Sequence, residues 1–127
     1  MNRAFKTCYF ARWMRKTLGL SDEALTGAFK EIREGLFDAD LGGGVIKKRV
    51  GLPGRGKRGG ARTIVVTNFR DRWFFVMGFA KNEKEDIDDD ELVALRLYAK
   101  DLLARQSDEL DRLKHTGALE EIDSYDD

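Results

Sequence analysis

The stretch from residue 72 to residue 80 places large apolar side chains at nearly every position. Side chains alternate between the two faces of a β-strand, so a strand here would be apolar on both faces. One face would carry Trp73, Phe75, Met77 and Phe79, and the other Phe74 and Val76. A strand of this kind is typical of the interior of a sheet that is covered on both sides. The sequence therefore predicts a central, covered strand over 72–80.

Helical periodicity is found before and after the strand region. Apolar side chains at three- and four-residue spacing predict helices over 8–17 and about 21–35, with Ser21 as the N-cap of the second. Asp88 and Glu91 have the spacing of a capping box and predict the start of a third helix. A further short helix is predicted after it.

Two more strands are predicted before the central one, over 45–50 and 62–69, separated by a long Gly-rich loop over 51–60. A short turn at Arg70-Asp71 leads into the central strand, and residues 3–8 fit either a short strand or a lead-in. Three strands that follow one another along the chain favour an antiparallel meander.

This order of elements predicts an α+β fold, in which two N-terminal helices pack on a small antiparallel β-sheet and one or more C-terminal helices follow. The length of 127 residues is enough for one domain with its own core, so we expect a single domain over 1–127. The acidic tail over 119–127 is expected to be frayed.

The thirty residues from Leu41 to Arg70 contain no acidic side chain, although the formal net charge of the whole chain is zero. The basic residues of this segment are Lys47, Lys48, Arg49, Arg55, Lys57, Arg58, Arg62 and Arg70. Residues 1–70 hold 15 Lys or Arg and 6 Asp or Glu, whereas residues 71–127 hold 8 and 17. A concentrated positive field on a neutral protein indicates a polyanionic partner such as nucleic acid.

Strand alternation brings some of these cations to one surface. Lys47 and Arg49 would project from the exposed face of the first predicted strand. Arg62 opens the next strand and Lys81 follows the last one. If the three strands pair in sequence order, these four cations converge on one end or face of the sheet. Lys48 points to the opposite face, near its rim.

Such a cluster fits chemistry on a phosphodiester. The planar guanidinium of arginine matches the geometry of phosphate oxygens. Attack of an RNA 2′-hydroxyl on its adjacent phosphate needs in-line positioning and stabilisation of the negative charge that develops, and fixed cations supply that stabilisation. A basic face that binds nucleic acid without any chemistry is an equally weighted alternative, because phosphate contacts without catalysis are common.

Other chemistry has little basis in the sequence. His115 is the only histidine, with no second metal ligand or catalytic partner beside it, and the apolar neighbours of Cys8 predict a core position. The Gly-rich loop lacks the Walker pattern, and the acidic run over 83–91 lacks calcium-loop spacing, so it is interpreted as helix capping and solvation. No metal site is predicted.

The sequence also bears on localisation. A single cysteine cannot form an internal disulfide, the first residues are polar and basic, and the longest apolar run, 73–77, is too short to cross a bilayer. We therefore expect a cytoplasmic protein without a membrane partner.

Several of these residues form an ordered set of motifs. The segments are 35–44 (GLFDADLGGG), 47–50 (KKRV), 54–57 (GRGK), 59–63 (GGART) and 74–83 (FFVMGFAKNE). In this order they resemble the RelE-like toxins of type II toxin–antitoxin systems, and in particular the HigB/RelE subfamily. The resemblance covers roughly residues 5–122.

The resemblance implies a toxin that enters the ribosomal A site and cleaves mRNA, with lysine and arginine side chains in place of a histidine pair. The matching catalytic positions are Lys47, Arg49, Arg62 and Lys81, with Lys48 as an alternative register. The resemblance also implies that the endoribonuclease needs no metal or cofactor. Its expected partners are mRNA, the ribosome and a cognate antitoxin, often a small helix-turn-helix protein.

Further RNA contacts are expected from Lys48, Arg55, Lys57, Arg58, Arg70, Phe79 and Asn82. The chain departs from the family pattern because no tyrosine follows the final strand and because Ala61 stands where an aromatic residue often precedes the arginine. Base stacking would then fall to Phe79 or Trp73. A related, ParE-like branch of the fold inhibits DNA gyrase, so two alternatives remain: a non-enzymatic gyrase inhibitor, and a repurposed module that binds nucleic acid or a repressor.

Overall fold

A computed structural model of the chain describes residues 2–17, 19–52, 56–80 and 86–122, with the backbone alone for residues 56–59. The described residues form four helices and six strands. In chain order these are β1 (Arg3–Thr7), α1 (Cys8–Arg15), α2 (Asp22–Arg33), β2 (Ala39–Asp40), β3 (Val45–Leu52), β4 (Gly56–Thr67), β5 (Arg72–Ala80), α3 (Asp89–Ala104), α4 (Ser107–Thr116) and β6 (Leu119–Glu121).

The six strands form one mixed sheet in the order β2-β3-β4-β5-β1-β6. The predicted α+β class is confirmed, and β3, β4 and β5 form the predicted antiparallel meander. The predicted element order and the purely antiparallel sheet are wrong, since β1 precedes both N-terminal helices and pairs in parallel with β5, Phe5 opposite Phe74. Because β1 is only five residues long and pairs with a distant segment, local periodicity could not reveal its place.

The sheet is covered on both faces, as the apolar central strand predicts. We call the side packed by α1 and α2 the first core and the side packed by α3 and α4 the second core. The first core includes Phe10, Leu25, Phe29, Ile32, Ile46, Val50, Val65, Trp73 and Phe75. The second core includes Phe5, Val45, Ile64, Val66, Phe74, Phe79, Ala99, Leu102, Leu110 and Leu119.

A β-bulge changes the predicted alternation along β5. Adjacent residues Ile64 and Val65 of β4 pair with Met77 and Phe75, so β5 carries one extra residue at this point. Phe75 consequently belongs to the first core, whereas Phe79 belongs to the second. The expectation that Phe75 and Phe79 lie on one face is therefore wrong, because the two faces of β5 are exchanged after Phe75.

The β3–β4 hairpin is longer than predicted. β3 extends to Leu52 and β4 begins at Gly56, with Leu52 paired to Gly56. Most of the segment expected to be a Gly-rich loop over 51–60 is therefore strand. A glycine is required at position 60, because a Cβ there would lie 2.1 Å from the carbonyl oxygen of Val50.

The helix boundaries follow local capping signals. Ser21 accepts a hydrogen bond from the backbone N–H of Ala24, as predicted for the N-cap of α2. Asp88 and Glu91 form the predicted capping box at the start of α3, at 2.8 and 3.0 Å. α1 is shorter than predicted and ends at Arg15. No helix of the described part of the chain is long and apolar enough to cross a membrane.

The C-terminal segment joins the sheet instead of fraying from residue 119. β6 pairs antiparallel with β1, and the N–H of Ile122 donates to the carbonyl of Ala4 at 2.8 Å. Ile122 is buried in the first core. Only residues 123–127 of the expected frayed tail lie outside the described residues.

Candidate nucleic-acid interface

Three of the four predicted catalytic cations share one face of the sheet. Lys47 and Arg49 alternate with buried residues on β3, and Arg49 pairs directly with Arg62 of β4. Lys47 pairs with Ile64, which belongs to the second core, so all three side chains lie on the α3 side of the sheet. We call Lys47, Arg49 and Arg62 the cation cluster.

The position of Arg49 opposite Arg62 has an energetic consequence. Directly opposed residues of antiparallel strands have Cβ atoms about 4.5–5.5 Å apart, and like charges in this arrangement destabilise the pair. Both strands are held by the antiparallel ladder from Val45–Val66 to Val50–Ala61. The backbone therefore keeps the Cβ atoms of two arginines close together, and an anion between their guanidinium groups would be attracted to both.

Asp86 supplies one counter-ion to the cluster. Its carboxylate accepts a hydrogen bond from Lys47 Nζ at 3.1 Å and from the backbone N–H of Ile87 at 2.9 Å. The pKa of Asp86 is lowered, chiefly by the Ile87 hydrogen bond and then by the hydrogen bond and charge of Lys47 and the charge of Arg62. This carboxylate therefore interacts with both Lys47 and Arg62.

Asp38 supplies a second counter-ion, on the edge of the sheet. Its carboxylate lies 3.0 Å from Arg49 Nε and also accepts from the backbone N–H of Arg49 at 3.2 Å. The backbone N–H of Asp38 donates to the carbonyl of Lys47 at 2.9 Å, which ties this segment to β3. Among the described residues, no carboxylate lies within ion-pair distance of Arg62.

Sequence reasoning missed both carboxylates. Asp38 lies just before the acid-free segment, and Asp86 lies in the run interpreted as capping and solvation. The only local signal was the position of Asp38 shortly before β3, since pairing with Asp86 depends on long-range folding. The acid-free basic segment is thus partly neutralised by acids from outside it.

Lys48 lies on the opposite face, in the first-core layer. Its ammonium group is buried, forms an ion pair with Glu31 at 2.8 Å and donates to the carbonyl of Leu36 at 2.8 Å. These contacts join β3 to the end of α2. Lys48 therefore has a structural role here and is separated by the sheet from the cation cluster.

The aromatic residues expected to stack on a base are buried. Phe79 pairs with Arg62 and is 4% exposed, while Trp73 is fully buried in the first core. Neither ring presents a face to solvent, so the stacking expectation finds no support at these positions. Arg70 is exposed but lies in the β4–β5 turn, whereas Arg62 lies in the middle of β4 and does not open the strand as predicted.

The remaining predicted site residues cannot be placed relative to the cluster. Lys81, Asn82 and Arg55 lie outside the described residues, and only the backbone of Lys57 and Arg58 is described, as part of β4.

The structure also places Cys8 and His115, for which the sequence predicts no catalytic or metal-binding role. Cys8 was expected in the core, but it is exposed at the start of α1. His115 is exposed near the end of α4. Within the described ranges, no group of three or more His, Cys, Asp or Glu side chains is arranged to hold a metal ion.

The fold and the cation cluster together define a class of small α+β protein, in which basic side chains project from one face of a central β-meander. Comparison with known families identifies the class. The family described as the RelE toxin of the RelE/RelB toxin–antitoxin system matches residues 2–122. The chain therefore belongs to the RelE toxin family, which makes it the toxin of a toxin–antitoxin pair and implies a cognate antitoxin. No curated protein sequence matches the chain significantly.

Proposed function

We propose that this toxin is a ribosome-associated mRNA endonuclease that needs no metal ion. The observation that carries the proposal is the register of Arg49 opposite Arg62, with Lys47 on the same sheet face. Three cations on paired strands form a rigid anion site, and rigid cations stabilise a negatively charged transition state without reorganisation. Family membership supports a toxic activity, and the cation cluster supports a phosphodiester as its target.

The proposed reaction is an in-line attack of the 2′-oxygen of a nucleotide on its own 3′-phosphate. The 2′-hydroxyl loses its proton to solvent, the new bond forms between the 2′-oxygen and phosphorus, and the bond from phosphorus to the 5′-oxygen of the next nucleotide breaks. That oxygen takes up a proton from solvent as it leaves, so the step releases no net proton. The products are a 2′,3′-cyclic phosphate and a 5′-hydroxyl. Arg62 and Arg49 stabilise the charge on the phosphorane, and Lys47 holds the phosphate in line.

The wider interface follows from the same proposal. Lys81 completes the catalytic set, while Arg55, Lys57, Arg58, Arg70 and Asn82 contact the phosphates or bases of the mRNA and the ribosome. We exclude Lys48 and Phe79 from it because both are buried. The protein acts in the cytoplasm, and its antitoxin is a small helix-turn-helix protein that blocks the cation cluster or access to the ribosome.

Expression in a bacterial host tests the proposal. The wild-type protein should arrest growth, and Arg62→Ala should abolish the arrest because it removes the one cation of the cluster without a described ion pair. Arg112→Ala is a matched control, since Arg112 is exposed on α4. It should leave the arrest unchanged. Growth arrest by Arg62→Ala, or arrest with intact mRNA and DNA-damage signalling, would contradict the proposal, and the second result would indicate gyrase inhibition.

A further inference from the structure

The cation cluster already holds two carboxylates of its own chain, at two different cations. Asp86 contacts Lys47, and Asp38 contacts Arg49. We infer that these carboxylates occupy two anion subsites in the free protein, and that two successive phosphates of a single RNA strand displace them. This inference rests on the proposed function, because it specifies how the same site takes its RNA.

The spacing of the two subsites fits a nucleic-acid strand. Lys47 and Arg49 are two residues apart on β3 and lie on the same face, so their Cα atoms are about 6.6 Å apart. This is comparable to the distance between neighbouring phosphates of an extended single strand. The scissile phosphate would bind Lys47 and Arg62 in place of Asp86, with the charge of Arg49 beside it, and the next phosphate would bind Arg49 in place of Asp38.

The exchange is favourable because the internal pairs are weak. Asp86 is half exposed, and ion pairs between exposed groups contribute little stability. A phosphate can accept two parallel hydrogen bonds from an arginine, and an RNA strand also releases its condensed counterions on binding. The RNA therefore gains more from the cluster than each carboxylate loses.

The two carboxylates differ in how firmly they are held. Asp38 also accepts from the backbone of Arg49 and donates its own N–H to the carbonyl of Lys47, so it is anchored on β3 by the main chain. Asp86 contacts the sheet through Lys47, and its side chain is 55% exposed against 27% for Asp38. Asp86 is consequently the counter-ion that RNA displaces first, at the subsite that includes Arg62.

Fluorescence anisotropy of a labelled 2′-O-methyl RNA strand tests the exchange without cleavage, because the attacking hydroxyl is blocked. Asp86→Asn removes the charge but keeps an oxygen that can accept from Ile87. It should tighten binding about two- to fivefold at low salt, the range that follows from the strength of an exposed ion pair. Asp90→Asn is the matched control, because Asp90 is exposed and has no described ion pair. It should change binding by less than half as much.

Two results would overturn the exchange. Binding by Asp86→Asn that is no tighter than binding by Asp90→Asn would show that Asp86 does not compete for the cluster. Weaker binding would show that Asp86 instead positions Lys47. If the wild-type protein cleaves mRNA in cells and either result is found, this inference alone fails. If Asp86→Asn binds more tightly and no mRNA is cleaved, the inference stands and the proposed activity fails.

A trinucleotide with two linkages tests the pair of subsites. Replacing either phosphate by a neutral methylphosphonate should weaken binding to the wild-type protein, because one subsite is then left without an anion. Equal affinity for the singly and doubly charged trinucleotides would overturn the two-subsite arrangement.

Discussion

Arg49 and Arg62 face each other across β3 and β4. In the folded protein this like-charge pair is moderated by Asp38 at Arg49 and by the charge of Asp86 near Arg62. An arrangement that costs stability and leaves a cation without a described ion pair is typical of a binding site, since selection for stability alone would remove it.

Replacing Arg62 by methionine should therefore stabilise the fold while abolishing toxicity. Methionine keeps most of the aliphatic packing of the arginine stem and removes the repulsion with Arg49. We expect the free energy of unfolding to rise by about 0.2–1 kcal/mol at low salt, measured by urea denaturation. The gain should shrink at high salt because the repulsion is then screened. Arg112→Met controls for loss of a basic residue elsewhere, and a loss of stability specific to Arg62→Met would contradict the prediction.

The adjacent lysines Lys47 and Lys48 on β3 should affect different properties when changed to methionine, one RNA binding and the other stability. Lys48→Met removes the ion pair with Glu31 and the hydrogen bond to the carbonyl of Leu36, so the free energy of unfolding should fall by about 1–3 kcal/mol. Its affinity for RNA should not change. Lys47→Met should weaken RNA binding with little effect on stability. Chemical denaturation and RNA anisotropy measure the two effects, and weakened RNA binding by folded Lys48→Met would refute the structural role of Lys48.

The ion pair between β1 and β6 should make stability depend on pH in acid. Arg3 donates to both carboxylate oxygens of Glu121, at 3.0 and 2.9 Å, and lowers the pKa of Glu121 to about 2. A folded-state pKa below the unfolded value of 4.5 gives stability that is complete above pH 4.5 and is lost as the pH falls towards 2. Unfolding free energy measured across this interval should decline.

Glu121→Gln tests the source of that decline. At neutral pH it should cost about 2 kcal/mol, because the buried guanidinium of Arg3 loses one of its two charged partners and keeps only Asp111. Its stability should also fall less steeply between pH 4.5 and pH 2 than that of the wild type. Glu120→Gln changes the neighbouring, half-exposed carboxylate and should retain the wild-type slope. An unchanged slope for Glu121→Gln would assign the pH dependence to other groups.

The β4–β5 turn should depend on one side chain. Asn68 Oδ1 accepts from the backbone N–H groups of Arg70, Asp71 and Arg72, at 2.9, 3.0 and 3.1 Å. These contacts hold Phe69 at φ 63°, a left-handed conformation that is unfavourable for a bulky residue. Asn68→Ala should cost about 1–3 kcal/mol and increase hydrogen exchange at the three amides. Unchanged protection of those amides would show that the strand pairing alone fixes the turn.

The parts of the fold that depend on local patterns could be predicted from the sequence. The bounds of β5, the Ser21 cap and the Asp88 capping box are confirmed because each depends on residues within a few positions of one another. β1 could not be placed, since its parallel pairing with β5 joins residues almost seventy positions apart. The bulge in β5 opposite Ile64 and Val65 was equally hidden, because one extra residue reverses every later side chain without changing the apolar pattern.

In the candidate site too, features that depend on local patterns could be predicted and features that depend on long-range contacts could not. Alternation along β3 correctly separates Lys47 and Arg49 from Lys48, and pairing in sequence order brings Arg62 beside Arg49. The burial of Lys48 with Glu31 and the two counter-ions of the cluster depend on contacts between distant segments. Charge composition therefore indicated a basic surface but could not show how much of it is already paired.

The ends of cleaved mRNA test the central claim most directly. Transcripts from cells that express the wild-type toxin should acquire new 5′ ends that carry a hydroxyl group, detected because they can be ligated to an adaptor only after enzymatic phosphorylation. Cells that express Arg62→Ala to the same level should lack these ends, and cells that express the control Arg112→Ala should show them as the wild type does. New ends that carry a 5′-phosphate, or 5′-hydroxyl ends that persist in Arg62→Ala, would contradict cleavage by 2′-hydroxyl attack at the cation cluster.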